Sequence, residues 1–97
     1  MAYSVKWSPK AASHFEEICD YIAKDSRYYA ALFAKKIVSI VKTLPHFPKA
    51  GRIVPEYSDA NLREKIYENY RIVYRIKDEI IEIVAISHGA QQLENIL

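Results

Sequence analysis

The feature that most constrains this chain is the shortness of the breaks between three β-rich segments in its C-terminal half. Residues 62–67, 70–76 and 80–87 are rich in Ile, Val and Tyr, and only short polar stretches separate them. Such breaks leave room for a hairpin turn but not for the crossover that a parallel pair requires. The sequence therefore predicts consecutive antiparallel hairpins. The third segment, nearly apolar on both faces, is predicted to lie inside the sheet.

The N-terminal half predicts one strand followed by two helices. Residues 3–7 alternate large apolar and polar side chains, as a half-buried strand does. Ser8-Pro9 supplies a helix cap and a suitable first helical residue, and apolar residues at helical spacing continue to about Lys24. Asp25-Ser26 offers a second cap, and the second helix is predicted to end before Pro45.

The predicted order of elements is βααβββ, which is an α+β fold. A helical hairpin is expected to cover one face of a small, mostly antiparallel sheet. Residues 45–52, with two prolines and a glycine, are predicted to form an irregular loop between the two halves. At 97 residues the chain is predicted to be a single domain, residues 1–97.

Composition excludes several functional classes. The single cysteine, Cys19, rules out an internal disulfide framework and a metal site built on paired cysteines. His14 and His46 have no neighbours at metal-ligand spacing, so neither a metal nor a cofactor is predicted. Charged residues interrupt every apolar stretch, and the N-terminus lacks a signal core. We therefore expect a soluble, cytoplasmic protein with no membrane partner.

The net charge of +2 is mild for a dedicated nucleic-acid binder. Residues 61–77, however, hold five basic side chains against two acidic ones, so positive charge gathers in the C-terminal half. This asymmetry suggests a binding site.

Four segments, in this order and at this spacing, resemble the ParE/RelE toxin superfamily over nearly the whole chain. They are Val5–Ala11, Gly51–Glu56, Leu62–Glu64, and Tyr70–Tyr74 leading into Ile83–His88. The Gly-Arg-x-x-Pro-Glu loop, followed by Arg-Glu and Tyr-Arg-Ile-x-Tyr, is closer to the ParE branch. The resemblance implies a RelE/ParE-like fold and the toxin of a type II toxin–antitoxin module.

The two branches imply different mechanisms. ParE-like members poison DNA gyrase through protein–protein contact, whereas RelE-like members cut messenger RNA on the ribosome. Members of both branches are neutralised by an antitoxin whose C-terminal segment wraps the toxin. From the resemblance we expect a gyrase inhibitor; the alternatives are a ribosome-dependent mRNA endonuclease and an inactive member that binds only its antitoxin.

The catalytic set that the RelE branch implies is incomplete here. Arg71 matches the arginine of the sheet, and His88 is a candidate base if the chain is a ribonuclease, helped by Arg63 or Lys65. Glutamine stands at 91–92 where an arginine is expected, and the chain ends in Leu97 without the terminal tyrosine.

Arg71 also has a purely structural interpretation. If Glu68-Asn69 forms a two-residue turn, Tyr67 pairs with Tyr70, and Glu64 lies within reach of both Arg71 and Arg75. Arg71 would then form a structural cross-strand ion pair with Glu64 instead of binding phosphate.

Target binding is assigned to basic and aromatic side chains of the C-terminal half. Loops concentrate binding residues, and basic groups interleaved with tyrosines on a strand dock protein partners or stack bases. Tyrosine is also simply a good strand residue, which is the alternative for any single one. The predicted target-binding residues are Arg52, Arg63, Lys65, Tyr74 and Arg75.

The predicted partners are a cognate antitoxin and DNA gyrase, or the ribosome and mRNA in the alternative. The antitoxin is expected to contact the helical hairpin and a sheet edge through an acidic or amphipathic segment. A homodimer or a toxin–antitoxin hetero-oligomer is a further expectation.

Overall fold

A computed structural model of the protein describes residues 3–89 and Leu93. Two helices pack on a five-stranded sheet whose strands are ordered β1-β5-β4-β3-β2. In chain order the elements are β1 (Ser4–Trp7), α1 (Pro9–Asp25), α2 (Arg27–Thr43), β2 (Arg52–Ile53), β3 (Leu62–Tyr67), β4 (Tyr70–Lys77) and β5 (Ile80–His88).

Serine caps begin both helices, as predicted. The Ser8 hydroxyl accepts a hydrogen bond from the backbone N–H of Ala11 at 3.0 Å, and the Ser26 hydroxyl accepts one from Tyr29 at 3.2 Å. Each cap satisfies a backbone donor that the first helical turn would leave without a partner. Ser26 alone separates the two helices, which pack against each other as a hairpin.

The three C-terminal strands form the two predicted antiparallel hairpins. Tyr67 pairs with Tyr70 across the first turn, and Lys77 pairs with Ile80 across the second. Glu68 and Asp78 adopt positive φ angles in these turns. β5 lies between β4 and β1, and it pairs with β1 in parallel orientation. The α+β class and the mostly antiparallel sheet are confirmed.

The predicted loop between the halves contains one strand that the prediction missed. Arg52 and Ile53 pair antiparallel with Glu64 and Arg63, so the order is βααββββ. Two residues are too few to show an alternating pattern, and only the partner strand reveals them as a strand.

A bulge in β5 changes which side chains share a face. Tyr74 pairs with Ile83 but Val73 pairs with Ala85, so Val84 is an extra residue without a partner of its own. Both Ile83 and Ile86 consequently face the helices, although an unbroken alternation would place them on opposite faces.

The sheet is covered on both faces. The helical hairpin packs on one face, where Phe33, Ile37 and Tyr74 are buried. On the other face Val54 and Leu93 pack on the sheet together with Val73, so this face is only partly open. Across the described residues, neither helix combines the length and apolar character needed to cross a membrane.

Candidate functional site

Four charged side chains form a network on the sheet face opposite the helices. At its centre is Glu64 of β3, which is 1% exposed. Its carboxylate accepts hydrogen bonds of 2.6 Å from the Nε of Arg52 on β2 and from the Nε of Arg71 on β4. A buried carboxylate needs such partners, because burial without them would disfavour its charged form.

The guanidinium of Arg71 also binds Glu56, which follows β2. Its Nη1 and Nη2 donate to the two carboxylate oxygens of Glu56 at 2.7 and 2.8 Å. This fork lowers the pKa of Glu56 to about 2 and raises the pKa of Arg71 above its ordinary value. The Arg71 side chain is only 12% exposed. Two arginines thus balance two carboxylates, and Nε, Nη1 and Nη2 of Arg71 each donate to a carboxylate oxygen.

A second set of contacts fixes the loop before β2. The backbone N–H of Gly51 donates to the Tyr74 hydroxyl at 2.9 Å, and that hydroxyl donates to the Pro48 carbonyl at 2.7 Å. Burial raises the pKa of Tyr74, whose exposed fraction is 0%. The prediction of Tyr74 as a target-binding residue is therefore wrong, because its hydroxyl satisfies loop backbone groups inside the core.

Arg63 donates hydrogen bonds to the same loop and to the loop before β3. Its Nε donates to the Ala60 carbonyl, and its Nη1 donates to the Gly51 carbonyl, each at 2.9 Å. These bonds hold backbone groups that lie outside the sheet ladder. Arg63 is half-buried, so the predicted binding residue also has a structural task.

Arg71 and His88 project from opposite faces of the sheet. His88 pairs with Tyr70, and the two rings meet edge to face with centroids 5.5 Å apart. Tyr70 packs on Phe33 of α2, which places it on the helix side. Arg71 pairs instead with Ser87 and bonds Glu64 on the other side. The two predicted catalytic residues therefore do not form one site.

The remaining predicted site residues lie apart from the network. Arg75 is exposed on β4 and makes no described bond to Glu64, contrary to the expectation that Glu64 reaches both arginines. Arg52 takes that place. Lys65 is half-buried on β3, across from Ile72. Residues 91–92 and Leu97, on which the comparison with RelE-type catalysis depended, lie outside the described residues.

The sequence pattern missed Glu56 as a partner of Arg71. The two residues are far apart in the chain, and their contact requires the loop after β2 to fold back over the sheet. The only signal was that Glu56 closes the Gly-Arg-x-x-Pro-Glu segment. Among the residues described, no three His, Cys, Asp or Glu side chains lie together as metal ligands would.

An apolar groove runs along α2 on the outer surface of the helical hairpin, with a volume of about 880 Å³. We call it the α2 groove. Ala31, Ala34, Val38 and Phe47 are among its apolar lining residues. Its charged lining residues are Lys35 and Lys42, with no acidic side chain among the lining residues described. The groove therefore combines an apolar floor with a basic rim.

Comparisons with known proteins agree with this architecture. A family model described as the ParE toxin of the type II toxin–antitoxin system parDE matches residues 5–93. Toxin RelE2 of Caulobacter vibrioides is 31% identical over 88 residues, which cover 90% of this chain and 96% of that toxin.

Two solved structures share the fold. The chain superposes on a chain of the chromosomal ParDE system of P. aeruginosa with a TM-score of 0.74 and 27% identity, over 90% of this chain and 96% of that one. For the toxin–antitoxin complex RelBE2 of Mycobacterium tuberculosis the TM-score is 0.64 at 18% identity, over 91% and 99% of the two chains, which supports the fold alone.

Proposed function

This chain belongs to the ParE toxin family of type II toxin–antitoxin systems, and on that premise we propose that it arrests growth by binding DNA gyrase, without covalent chemistry of its own. Because its structural relatives come from toxin–antitoxin systems, a cognate antitoxin is the partner that family membership supports. The choice of gyrase over the ribosome is our proposal.

One observation carries the choice: both oxygens of Glu56 and one oxygen of Glu64 hold Arg71. Cleavage through the 2′-hydroxyl of RNA requires cations that stabilise the extra negative charge of the transition state. To bind a phosphate, Arg71 would have to break a bidentate ion pair and leave buried Glu64 with a weaker partner. The network therefore supports a binding toxin over a ribonuclease.

The position of His88 supports the same choice. A base and a transition-state cation must both reach the same phosphodiester, the base at the 2′-hydroxyl and the cation at the phosphate oxygens. His88 lies on the helix side with Tyr70, whereas the guanidinium of Arg71 lies on the other side. The ribonuclease alternative would need a different pair of residues.

For the antitoxin we propose the α2 groove as the main docking site. An amphipathic helix with acidic residues along its flanks would place apolar side chains against Ala34 and Val38, and carboxylates beside Lys35 and Lys42. A second contact by strand addition at β1, which pairs only with β5 among the described residues, would extend the interface.

The experiment that tests the target is inducible expression in a bacterial host without antitoxin, followed by extraction of messenger RNA and plasmid DNA. We expect cleaved plasmid DNA and intact messages. Purified gyrase, supercoiled plasmid and the purified chain should reproduce the cleavage. Codon-phased cuts in translated messages would establish the ribonuclease instead, and unhindered growth would favour the inactive, antitoxin-binding alternative.

A variant of the candidate base sharpens the test. His88→Ala removes the candidate base at an exposed position, and we expect DNA cleavage to persist, reduced at most severalfold by loss of the ring beside Tyr70. Loss of both growth arrest and message cutting in His88→Ala would favour the ribonuclease alternative over the binding toxin. The predicted target-binding residues Arg52, Lys65 and Arg75 remain proposals for substitution in the same assay.

A further inference from the structure

A cleft that no part of the proposed function uses lies at the end of β5, beside α1. Its lining residues are Glu17, Ile18 and Tyr21 of α1, Tyr70 of β4 and His88 of β5. The cleft has a volume of about 410 Å³, enough for one long side chain of a partner. We call it the Tyr70 cleft.

The aromatic wall of the cleft is held in place. The Tyr70 ring packs on Phe33 of α2 with centroids 4.9 Å apart, and it meets the ring of His88 at 87°. Tyr21, on the α1 side, is 69% exposed. The cleft therefore pairs one fixed ring with one exposed ring that a ligand can reach.

The charges at the cleft are negative. Glu17 lines it, and no lysine or arginine does so among the residues described. Burial raises the pKa of the Tyr70 hydroxyl, and the neighbouring charge of Glu68 raises it further, so a second carboxylate acts on the same ring. A phosphate would be repelled here, whereas a cation would meet two aromatic rings and a carboxylate.

We propose that the Tyr70 cleft binds a cationic side chain, arginine or lysine, presented by the protein target of the toxin. The aromatic faces of Tyr21 and Tyr70 attract the cation, and Glu17 supplies the opposite charge. The inference rests on the proposed function only for the view that the target is a protein. The proposed sites for the antitoxin and for the target also differ in charge, since lysines line the α2 groove and a glutamate lines the Tyr70 cleft.

The test is an NMR titration of the isotope-labelled full chain with the peptide acetyl-Gly-Arg-Gly-amide. Its counterpart with citrulline has the same shape and no charge. We expect the arginine peptide to shift the amide resonances of Tyr21, Tyr70 and His88 saturably, and the citrulline peptide to leave them nearly unchanged. Glu17→Gln and Tyr21→Ala should each raise the dissociation constant of the arginine peptide about twofold to fivefold, the range for exposed cation–π and ion-pair contacts.

Tyr28→Ala is the matched control. Tyr28 is as exposed as Tyr21, at 69%, but does not line the cleft, so its removal should leave binding unchanged. Equal shifts with both peptides, or equal weakening by Tyr21→Ala and Tyr28→Ala, would overturn the proposal. So would a single-stranded oligonucleotide that shifts the cleft resonances where the arginine peptide does not. If the wild-type chain binds the arginine peptide but does not poison gyrase, the proposed function is contradicted and this inference stands.

Discussion

At the scale of single residues, Gly51 is fixed by the space around it. A Cβ atom built on Gly51 would lie 2.5 Å from the backbone carbonyl of Glu64 and 2.7 Å from the Tyr74 hydroxyl. The carbonyl belongs to β3, which is paired on both sides, and cannot move away cheaply. Glycine is therefore required here by close approach of the loop to β3, not by an unusual φ angle.

We expect Gly51→Ala to lower the free energy of unfolding by about 1–3 kcal/mol, as overpacking does. Urea denaturation followed by circular dichroism measures it. Gly89→Ala is the control, because among the described residues its added Cβ would meet the Asn69 backbone alone, and at no less than 3.1 Å. Equal losses in the two variants would contradict the steric argument.

Glu64 and Glu56 share Arg71 but differ in burial. The Glu64 side chain is 0% exposed and that of Glu56 is 44% exposed. Glu64→Gln leaves two arginines with one carboxylate at a buried position, so we expect a loss of about 3 kcal/mol in the free energy of unfolding. Glu56→Gln at the exposed end should cost less than about 1 kcal/mol. The same urea denaturation compares them, and a larger loss for Glu56→Gln would refute this ranking.

The pKa of Glu56 predicts a pH dependence with a definite sign. Its pKa falls from 4.5 to about 2 on folding, so the folded protein holds fewer protons than the unfolded chain between those values. The contribution of Glu56 is complete above pH 4.5 and is lost as the pH falls toward 2. The difference in free energy of unfolding between wild type and Glu56→Gln should shrink over that range. A difference that stays constant from pH 5 to pH 2 would contradict it.

At the scale of elements, α1 completes the edge of β5 where β1 stops. The last backbone contact along this edge comes from Ser8, the residue after β1, whose N–H donates to the Ile83 carbonyl at 2.9 Å. Further along β5, the N–H of Ile86 donates to Nδ1 of His14 at 3.3 Å. A helix side chain thus takes the place of a missing strand, which joins the helical hairpin to the sheet by a polar contact as well as by packing.

This contact predicts an acid-sensitive junction between α1 and β5. Burial lowers the pKa of His14 below 6.5, and the charge of Lys10 acts in the same direction while Glu17 opposes it. Because the folded protein disfavours the charged imidazole, the His14 contribution is complete above pH 6.5 and is lost as the pH falls below it. Protonated Nδ1 cannot accept the Ile86 hydrogen bond.

His14→Asn keeps an acceptor that does not titrate, so its free energy of unfolding should vary less than that of wild type just below pH 6.5. Thermal or urea unfolding at closely spaced pH values measures the difference. His46→Asn, at an exposed histidine, is the control and should keep the wild-type profile. A wild-type profile in His14→Asn would show that another group causes the pH dependence.

At the scale of the whole molecule, the two proposed binding sites differ in charge, since lysines line the α2 groove and a glutamate lines the Tyr70 cleft. We expect the double variant Lys35→Glu and Lys42→Glu to weaken antitoxin binding roughly tenfold, since it replaces two attractions by two repulsions. Titration calorimetry with the cognate antitoxin measures it, and added salt should reduce the effect. Lys24→Glu on α1, outside the groove, is the control; equal weakening by Lys24→Glu would exclude the groove as the docking site.

Both helix caps, the first hairpin register and the element order apart from β2 followed from the sequence. Each is set by local features: Ser8 and Ser26 cap through their own hydroxyls, and two polar residues between Tyr67 and Tyr70 leave one hairpin geometry. The pairing of Glu64 with Arg71 followed from that register. Family membership followed as well, because it depends on the order and spacing of short segments.

Only the tertiary structure decided which side chains share a site. An unbroken ladder from the Lys77–Ile80 pair would pair Arg71 with Ile86 and place His88 on the Arg71 side; the extra residue Val84 shifts the register by one and moves His88 to the helix face. Burial of the Tyr74 hydroxyl and the reach of Glu56 to Arg71 likewise depend on how the loop folds back. Periodicity fixes elements because it is local, whereas a bulge and a folded loop are stabilised by contacts between distant parts of the chain.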